Sequence, residues 1–380
     1  MIDFSFSEEQ EMLRRSIRSF AAKEIAPITA EYDEKEEFPL FIFKRLADQG
    51  FLGIRAPQEY GGSGASAVSG IIFCEELGYF FSGITIGIYV QIFLVLNSFK
   101  FFGNDRQKQE YLVPGIQGNK IGAWGFAEPN AGSDPGSMTT RAIPKGDGYL
   151  INGTKMFITN GTFADFIIVT AKTDPARGTK GMGLLIVDKG TPGFSVSKKL
   201  KKMCAGAAET TELVFEDCWV PKANLLGEES LGFYNAQKTL TEGRIVMGGL
   251  SVGMARAAFD LALKHAKERV QFGQPIGKFQ GIQWMLAEMA LDIEAARLLT
   301  YQAAWLLDNG KSHLKEASMA KLFATEMCTR VANQAVQIHG GYGLMKEYEV
   351  HRFYRDCKIA EIGEGTSQIH KNIIAWQLGL

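Results

Sequence analysis

The distribution of proline constrains the fold of this 380-residue chain more than any other feature of its sequence. Of 11 prolines, ten lie at or before Pro221 and only Pro275 lies after it. Proline removes a backbone donor and clashes with the preceding helical turn, so a long region with one proline permits long helices. Apolar residues in residues 229–380 recur at three- and four-residue spacing, the period of one helix face. This region is therefore predicted to be helical.

The rest of the chain divides into two regions of different character. The first 117 residues also show helical periodicity, and Ser7 with Gln10 forms a capping-box pattern before the first apolar run. From residue 118 to 228, short β-branched or aromatic runs alternate with Gly, Asn, Asp and Pro, which is typical of strands and turns. We predict a mainly helical α+β protein. Its parts are an N-terminal helical domain (1–117), a middle antiparallel β-barrel or sandwich domain (118–228) and a C-terminal four-helix bundle (229–380).

Charge and composition exclude several classes of protein. The chain has 41 Lys and Arg against 42 Asp and Glu, so it offers no basic field for nucleic acid. Its five cysteines are scattered without a C-x-x-C pair, which favours reduced thiols. The histidines lack zinc spacing, so no metal site is predicted. The first residues lack the apolar segment of a secretory signal, and we expect a cytoplasmic location.

One segment has the length of a membrane span. Tyr79–Phe99 comprises 21 residues without a charge, and about 20 apolar residues are enough to cross a bilayer. Seven of these residues are small or polar, however, which suits lipid poorly. We interpret the segment as a buried core helix and expect no membrane association.

Three glycine-marked turns carry the strongest local signals for a binding site. They lie at residues 127–134, 337–343 and 361–368, and each combines glycine with hydrogen-bonding side chains. Glycine lets a ligand approach the backbone closely, and exposed amides there can bind anions. Taken singly, each turn is also compatible with an ordinary loop between packed elements.

Six motifs together resemble the acyl-CoA dehydrogenase family, in the family's order and over essentially the whole chain. They are EPNAGSD (128–134), NGTKMFITNG (152–161), ERVQFGQPIGKFQ (268–280), QIHGGYG (337–343), YRD (354–356) and GEGTSQI (363–369). The resemblance implies FAD-dependent α,β-dehydrogenation of an acyl-CoA thioester. A carboxylate takes the α proton while the β hydrogen leaves as hydride to flavin N5. Because an α proton is a weak acid, the site must polarise the carbonyl and raise the pKa of the base.

The motif match places the catalytic base at Glu364, between two glycines. Some relatives instead carry the base in the central helix, one residue before the arginine that matches Arg244. That position is Gly243 here and offers no carboxylate. In the family, the thioester oxygen is held by the backbone N–H of the base and a ribityl hydroxyl of FAD, an oxyanion-hole arrangement.

The resemblance also implies a set of FAD contacts. These are Trp124, Phe126, Ala127, Ser133, Phe157, Thr159, Arg269, Phe272, Gln280, Gln337, Gly341, Thr366 and Gln368. Phe157 stands where tryptophan is usual, and Ala127 stands where the family has a hydroxyl that donates to the flavin. The residues expected to reach the diphosphate side of a neighbouring subunit's FAD are Arg269, Gln280, Gln337 and Gly341. A guanidinium such as that of Arg269 suits a diphosphate.

A further set is implied to bind the acyl-CoA. It comprises Ser133, Thr241, Arg244 and Gly365, with Thr85, Tyr89 and Gln91 expected at the distal end of the acyl group. Thr241 replaces an aspartate common in straight-chain enzymes. Gly363 replaces a tyrosine that is frequent just before the base. The lost ring opens space, so we predict a branched, cyclic or aryl-bearing acyl group.

The resemblance further implies partners and leaves alternatives open. An electron-transferring flavoprotein is the expected electron acceptor, and a homotetramer is the expected assembly. An acyl-CoA oxidase or an enoyl-CoA reductase on the same scaffold is the alternative enzyme. A non-enzymatic helical binding protein is the alternative of another class.

Overall fold

The N-terminal region is helical in the computed structural model, which describes residues 5–380. Its helices are α1 (Glu8–Phe20), α2 (Thr29–Lys35), α3 (Phe41–Asp48), α4 (Ala67–Phe80), α5 (Ser82–Tyr89), α6 (Asn97–Phe102), α7 (Asp105–Gln107) and α8 (Val113–Ile116). The predicted capping box at the start of α1 is confirmed. Ser7 Oγ accepts from the backbone N–H of Gln10 at 3.2 Å, and Gln10 Oε1 accepts from that of Ser7 at 3.1 Å.

The uncharged segment lies in the core, as predicted, but not as one regular helix. It runs from the end of α4 through α5, a π-helical segment at Val90–Leu96 and the start of α6. Within residues 5–380, two helical runs are long and apolar enough to span a membrane by length and composition, Ser82–Phe102 and Glu229–Glu268. In an apolar 18-residue stretch of each run, 89% and 78% of the residues, respectively, are buried inside the protein.

The middle region forms one seven-stranded sheet. Its strands are β1 (Gly122–Gly125), β2 (Arg141–Lys145), β3 (Gly148–Thr159), β4 (Phe166–Lys172), β5 (Met182–Asp188), β6 (Phe194–Lys199) and β7 (Thr210–Pro221). The order is β1-β4-β2-β3-β7-β6, and β5 also pairs with β4. The sheet is mainly antiparallel, as expected, but β1 and β4 pair in parallel, and β2 meets β4 in the same sense. The β2–β3 hairpin supplies the crossover that a parallel pair requires.

An irregular stretch of β3 re-aims one predicted site residue. Between Lys155 and Ile158 the register with β7 shifts, and Phe157 adopts a φ of +63°. The Phe157 ring is consequently 67% exposed. Bulges often re-aim a side chain beside a functional site.

The C-terminal region is a helical bundle, as predicted. Its helices are α9 (Gly232–Glu268), α10 (Gln280–Asp308), α11 (Leu314–His339), α12 (Val350–Ile362) and α13 (Ser367–Gln377), with a short hairpin of β8 (Val270–Gln271) and β9 (Gln274–Pro275). Helices α9 to α12 pack together as four members of the bundle, and α13 packs against α11.

Small residues of α9 allow close packing inside the chain. A Cβ at Gly253 would lie 2.1 Å from the Glu75 carbonyl oxygen of α4, and one at Gly248 would lie 2.9 Å from Thr300 Oγ1 of α10. These glycines therefore hold α4 and α10 within one subunit.

Candidate active site

The candidate base lies in the turn between α12 and α13. Glu364 has a φ of +59°, which is uncommon for a residue other than glycine and typical of a tight turn. Gly365 follows with a φ of +112°. Thr366 then caps α13 by accepting from the backbone N–H of Ile369 at 3.4 Å. The strained turn fixes where the Glu364 side chain leaves the backbone.

The Glu364 carboxylate is enclosed, although the residue as a whole is only partly buried. Its Oε1 accepts a hydrogen bond from the Tyr89 hydroxyl. Its Oε2 is buried and has no hydrogen-bond partner within residues 5–380. Burial raises the pKa of Glu364 well above the usual range of a carboxyl, because desolvation disfavours the charged form. One oxygen is thus held and the other is free.

Gly243 faces this carboxylate from α9. A Cβ there would lie 2.6 Å from the Tyr89 hydroxyl and 2.8 Å from both carboxylate oxygens of Glu364. Position 243, where some relatives carry the base, therefore lies next to the Glu364 carboxylate. Only glycine at this position leaves room for that carboxylate.

Arg244 lies beside the same turn as a buried cation. Its Nε donates to the Glu364 carbonyl oxygen at 3.4 Å and its Nη2 to Gln237 Oε1 at 3.2 Å. Its Nη1 is buried without a partner in the described part of the chain. Burial lowers the pKa of Arg244 to about 10. The unpaired nitrogen is a donor that a ligand can satisfy.

Two further basic residues, Lys321 and His370, which the sequence analysis missed, lie beside the turn. Lys321 Nζ of α11 donates to the Glu361 carbonyl at 3.1 Å and to the Gly365 carbonyl at 2.6 Å. Burial, and then the charge of Arg244, lowers the pKa of Lys321 to about 7. Burial first, with Lys321 and Arg244 adding to it, lowers the pKa of His370 to about 3. His370 is therefore neutral, and Lys321 titrates near neutral pH.

The three residues predicted at the distal acyl end, Thr85, Tyr89 and Gln91, each make hydrogen bonds within the chain, and their contact with an acyl group stays a prediction. Tyr89 reaches the base. Thr85 donates to the Phe81 carbonyl of its own helix at 2.7 Å. Gln91 donates to the Lys120 carbonyl at 3.1 Å and accepts from the backbone N–H of Gly122 at 2.8 Å, which ties the π-helical segment to β1. The side chains of Thr85 and Gln91 thus hydrogen-bond to backbone groups.

The predicted flavin-ring residues gather where β1 and β3 end. The Trp124 ring is buried and donates from Nε1 to Thr170 Oγ1 at 3.1 Å, and Phe126 packs on it edge to face. The backbone N–H of Met156 donates to the Ala127 carbonyl at 2.9 Å. The remaining members are the exposed Phe157, the partly buried Thr159 and the exposed Ser133.

A hydrogen bond joins this edge to α5, the helix that carries Tyr89. Asn160, which follows β3, donates from Nδ2 to the Gly87 carbonyl of α5 at 2.9 Å. Gly87 lies two residues before Tyr89. The same edge of the sheet therefore borders the helix that contacts Glu364.

A buried ion pair, also missed from sequence, fastens the loop after β1. Lys155 Nζ donates to Glu128 Oε1 at 2.8 Å and to the Phe126 carbonyl at 3.1 Å. Burial alone would raise the pKa of Glu128, but Lys155 and the backbone N–H of Thr139 lower it to about 2. Burial lowers the pKa of Lys155 to about 8. The pair holds the loop 127–134 on β3.

Two of the four predicted diphosphate residues, Arg269 and Gly341, lie together and away from the base. A cavity of about 500 Å³ is lined by His265, Arg269, His339, Gly341 and their neighbours, and Glu364 is not among them. Arg269 lies over the Tyr342 ring at 5.3 Å and has no ion-pair partner within residues 5–380. The other two predicted diphosphate residues, Gln280 and Gln337, are exposed and do not line this cavity, and the predicted FAD contact Phe272 is likewise exposed outside it. Thr366 and Gln368 stay with the base, at the start of α13.

Comparison with known proteins assigns the chain to a family. Models described as the N-terminal, middle and C-terminal domains of acyl-CoA dehydrogenase match residues 7–119, 123–218 and 231–379. The chain belongs to the acyl-CoA dehydrogenase family. It is 46% identical to the probable acyl-CoA dehydrogenase YngJ of Bacillus subtilis, over 99% of this chain and 100% of that protein.

Two other acyl-CoA dehydrogenase relatives are similar over the full length. Acryloyl-CoA reductase (NADH) of Anaerotignum propionicum is 46% identical over 98% of this chain and 95% of that protein. The solved butyryl-CoA dehydrogenase of Megasphaera elsdenii is 40% identical, with a TM-score of 0.97 and full coverage of both chains. The predicted family, its helix–sheet–helix architecture and its oxidoreductase class are confirmed. The roles of individual site residues stay predictions.

Proposed function

We propose that this protein catalyses the α,β-dehydrogenation of an acyl-CoA thioester with Glu364 as the base. The observation that carries the proposal is the enclosed carboxylate with one free oxygen, Oε2, opposite a glycine that leaves it room. Burial raises the pKa of Glu364, which makes its carboxylate a stronger base toward the α proton.

The turn also offers a donor for the thioester oxygen. The backbone N–H of Glu364 donates to no carbonyl within residues 5–380, so it can bind the oxygen on which charge develops. The α proton moves from carbon to Glu364 Oε2, and the C–H electron pair enters the enolate. Arg244 Nη1, buried and unpaired, is placed to bind a polar group in the same channel.

The residues present fit FAD in two places. The flavin ring would be held by the exposed ring of Phe157 and by the sheet edge around Trp124 and Thr159. The cavity beside Arg269 suits a diphosphate, because this guanidinium has no ion-pair partner within residues 5–380. A solved relative, PigA, is described with FAD and proline and is 30% identical with a TM-score of 0.97. When bound, the flavin supplies the acceptor for the β hydrogen.

The direct test is anaerobic titration of the purified protein with acyl-CoA compounds while flavin absorbance is followed. Glu364→Gln should bind ligand without bleaching. Glu361→Gln is the matched control, since Glu361 pairs with Lys358 at 2.6 Å one turn away and should leave bleaching intact. Bleaching by Glu364→Gln at the wild-type rate would refute the assignment of the base.

A branched, cyclic or aryl-bearing acyl group is the proposed substrate class. Gly363, directly before the base, carries no side chain. A Cβ at Gly363 would have one atom within 4 Å, the Ile359 carbonyl oxygen at 3.2 Å, so this side of the turn is open apart from that tight contact. A substrate panel in which butyryl- or octanoyl-CoA reacts fastest would overturn this choice.

Reduction of an enoyl-CoA is a second candidate function. The raised pKa of Glu364 favours the protonated carboxyl, which is the form that delivers a proton to the α carbon. The 46% identical relative from Anaerotignum propionicum is named as a reductase. Comparing the rate at which enoyl-CoA reoxidises the reduced protein with the rate of bleaching by the saturated acyl-CoA, over a pH series, decides which direction dominates.

An electron-transferring flavoprotein is the proposed redox partner. A relative from Acetobacterium woodii, 44% identical over 98% of this chain and 99% of that protein, is named as a subunit of a caffeyl-CoA reductase–Etf complex. Reduction of a purified electron-transferring flavoprotein by the acyl-CoA-treated protein tests this partner. Rapid reoxidation by oxygen alone would favour an oxidase instead.

We also propose that α10 meets a second copy of this chain. Four exposed residues repeat at seven-residue spacing along it, namely Trp284, Leu291, Leu298 and Trp305. The order Trp-Leu-Leu-Trp reads the same in both directions, which suits two antiparallel copies around a two-fold axis. Leu291→Glu should reduce the mass measured by analytical ultracentrifugation, and an unchanged mass would refute this interface.

A further inference from the structure

The contact between Tyr89 and Glu364 carries an inference beyond the proposed reaction, and it rests on that reaction. We propose that Tyr89 is a positioning residue for the base: its hydroxyl holds carboxylate Oε1 so that Oε2 is left to face the α carbon. The evidence is the hydrogen bond on one oxygen and the buried, unpartnered state of the other.

The Tyr89 ring is held firmly enough for this role. Tyr89 is 1% exposed, and its ring stacks on Phe93 with a centroid separation of 5.8 Å and an angle of 26° between planes. It is the last residue of α5, directly before the π-helical segment Val90–Leu96. Such wide turns re-aim neighbouring side chains and occur often at functional sites.

The neighbouring groups do not duplicate this contact. Arg244 reaches the backbone carbonyl of Glu364 instead of its carboxylate, and Lys321 is bound to two other carbonyls. The titratable groups that surround the Tyr89–Glu364 pair are Arg244 on α9, Lys321 on α11, His370 on α13 and Cys74 on α4. Within the described chain, Tyr89 is therefore the side chain that orients this carboxylate.

The hydrogen bond from Tyr89 also favours the deprotonated form of the Glu364 carboxyl. A phenol that donates to a carboxylate stabilises the charged form, so it opposes the effect of burial on Glu364. When the α proton moves to Oε2, the α C–H bond breaks, the new O–H bond forms on Glu364, and the phenol keeps its own proton. Tyr89 thus tunes the base without exchanging a proton with substrate.

The test removes the hydroxyl and follows the pH dependence of the bleaching rate in single turnover. Tyr89→Phe keeps the ring, and Tyr89→Met fills the same space flexibly. Each should shift the apparent pKa of the rate upward by about one to two pH units, the shift expected for loss of a hydrogen bond to a charged group. The two variants differ in shape but both lack the hydroxyl. The pH profile of either variant that folds and retains flavin is therefore enough to test the role of Tyr89.

Tyr111→Phe is the matched control. Tyr111 is equally buried in the same domain and donates to the Asp188 carboxylate at 3.0 Å, so its loss should leave the pH profile unchanged. A profile unchanged in the Tyr89 variants, or shifted equally by Tyr111→Phe, would overturn the role of Tyr89. Failure of the wild-type protein to bleach with any acyl-CoA would instead refute the proposed function, and the role with it.

Discussion

Gly243→Ala is the substitution that tests the site most sharply, because it adds one carbon where the structure leaves no space. The new Cβ would lie 2.8 Å from both Glu364 carboxylate oxygens and 2.6 Å from the Tyr89 hydroxyl. Ordinary contact begins at 3.4 Å. The carboxylate must therefore move by about 0.6 Å and the hydroxyl by about 0.8 Å, since α9 is packed on both sides and cannot retreat.

A displacement of this size has a predictable kinetic effect. A misplacement of about 1 Å at reacting groups can cost about 100-fold in rate. We expect Gly243→Ala to lower kcat by about 10- to 100-fold, or about 1.4–2.7 kcal/mol of transition-state stabilisation. Flavin content should stay near wild type, because Gly243 is remote from the Arg269 cavity lining.

The assay is steady-state kcat at saturating acyl-CoA, normalised to bound flavin. Gly248→Ala is the control in the same helix, since its Cβ would approach Thr300 Oγ1 at 2.9 Å. Overpacking should cost both variants about 1–3 kcal/mol of stability, but only Gly243→Ala should lose kcat. A normal kcat in Gly243→Ala, or an equal loss in Gly248→Ala, would refute the reasoning.

Two predictions concern buried cations. Lys155→Met leaves Glu128 buried without its ion-pair partner, so it should lower the free energy of unfolding measured in urea by about 3–5 kcal/mol. Loss of the exposed Lys44–Asp48 pair in Lys44→Met should lower it by under about 1 kcal/mol. Equal losses in the two variants would contradict this. Burial lowers the pKa of Lys321 to about 7 from 10.5, so the unfolded chain binds more protons between these values and wild-type stability should rise with pH across that window. Lys321→Met should lack this rise, and parallel stability–pH curves for the two proteins would contradict it.

The large elements of the fold follow from local patterns in the sequence. The single late proline and the helical periodicity predict the bundle because helix hydrogen bonds and helix faces are set by near neighbours. The parallel pairing of β1 with β4 was not predictable in this way. Strand alternation shows which residues face the core, but the partner of an edge strand depends on a crossover of about 40 residues.

The candidate site residues that lie in a sequence motif were predictable, whereas the contact made by a residue of a buried helix was not. The glycine-flanked turn predicted Glu364 as the base, a role that stays a prediction, and the structure shows its carboxylate enclosed opposite Gly243. The direction of Tyr89 could not be read, since α5 is buried on all sides and has no polar face to indicate which way a residue points. A signal for Lys321 did exist, because a lone lysine among the buried alanines 317, 320 and 324 requires partners.

The site is assembled from features that each disfavour folding when taken alone. Gly243 interrupts a helix interior, at a cost of about 1 kcal/mol relative to alanine. Glu364 is held at a φ of +59°, and the π-helical segment after Tyr89 departs from regular helix geometry. Three separate elements bear these departures, and all three meet at one carboxylate. Departures of these kinds also occur elsewhere, as at Asp217 and in the π-helical segment Ala21–Ile25. At Glu364 three of them meet, and strain concentrated at one place is typical of functional sites, which is an argument for function that does not use the family motifs.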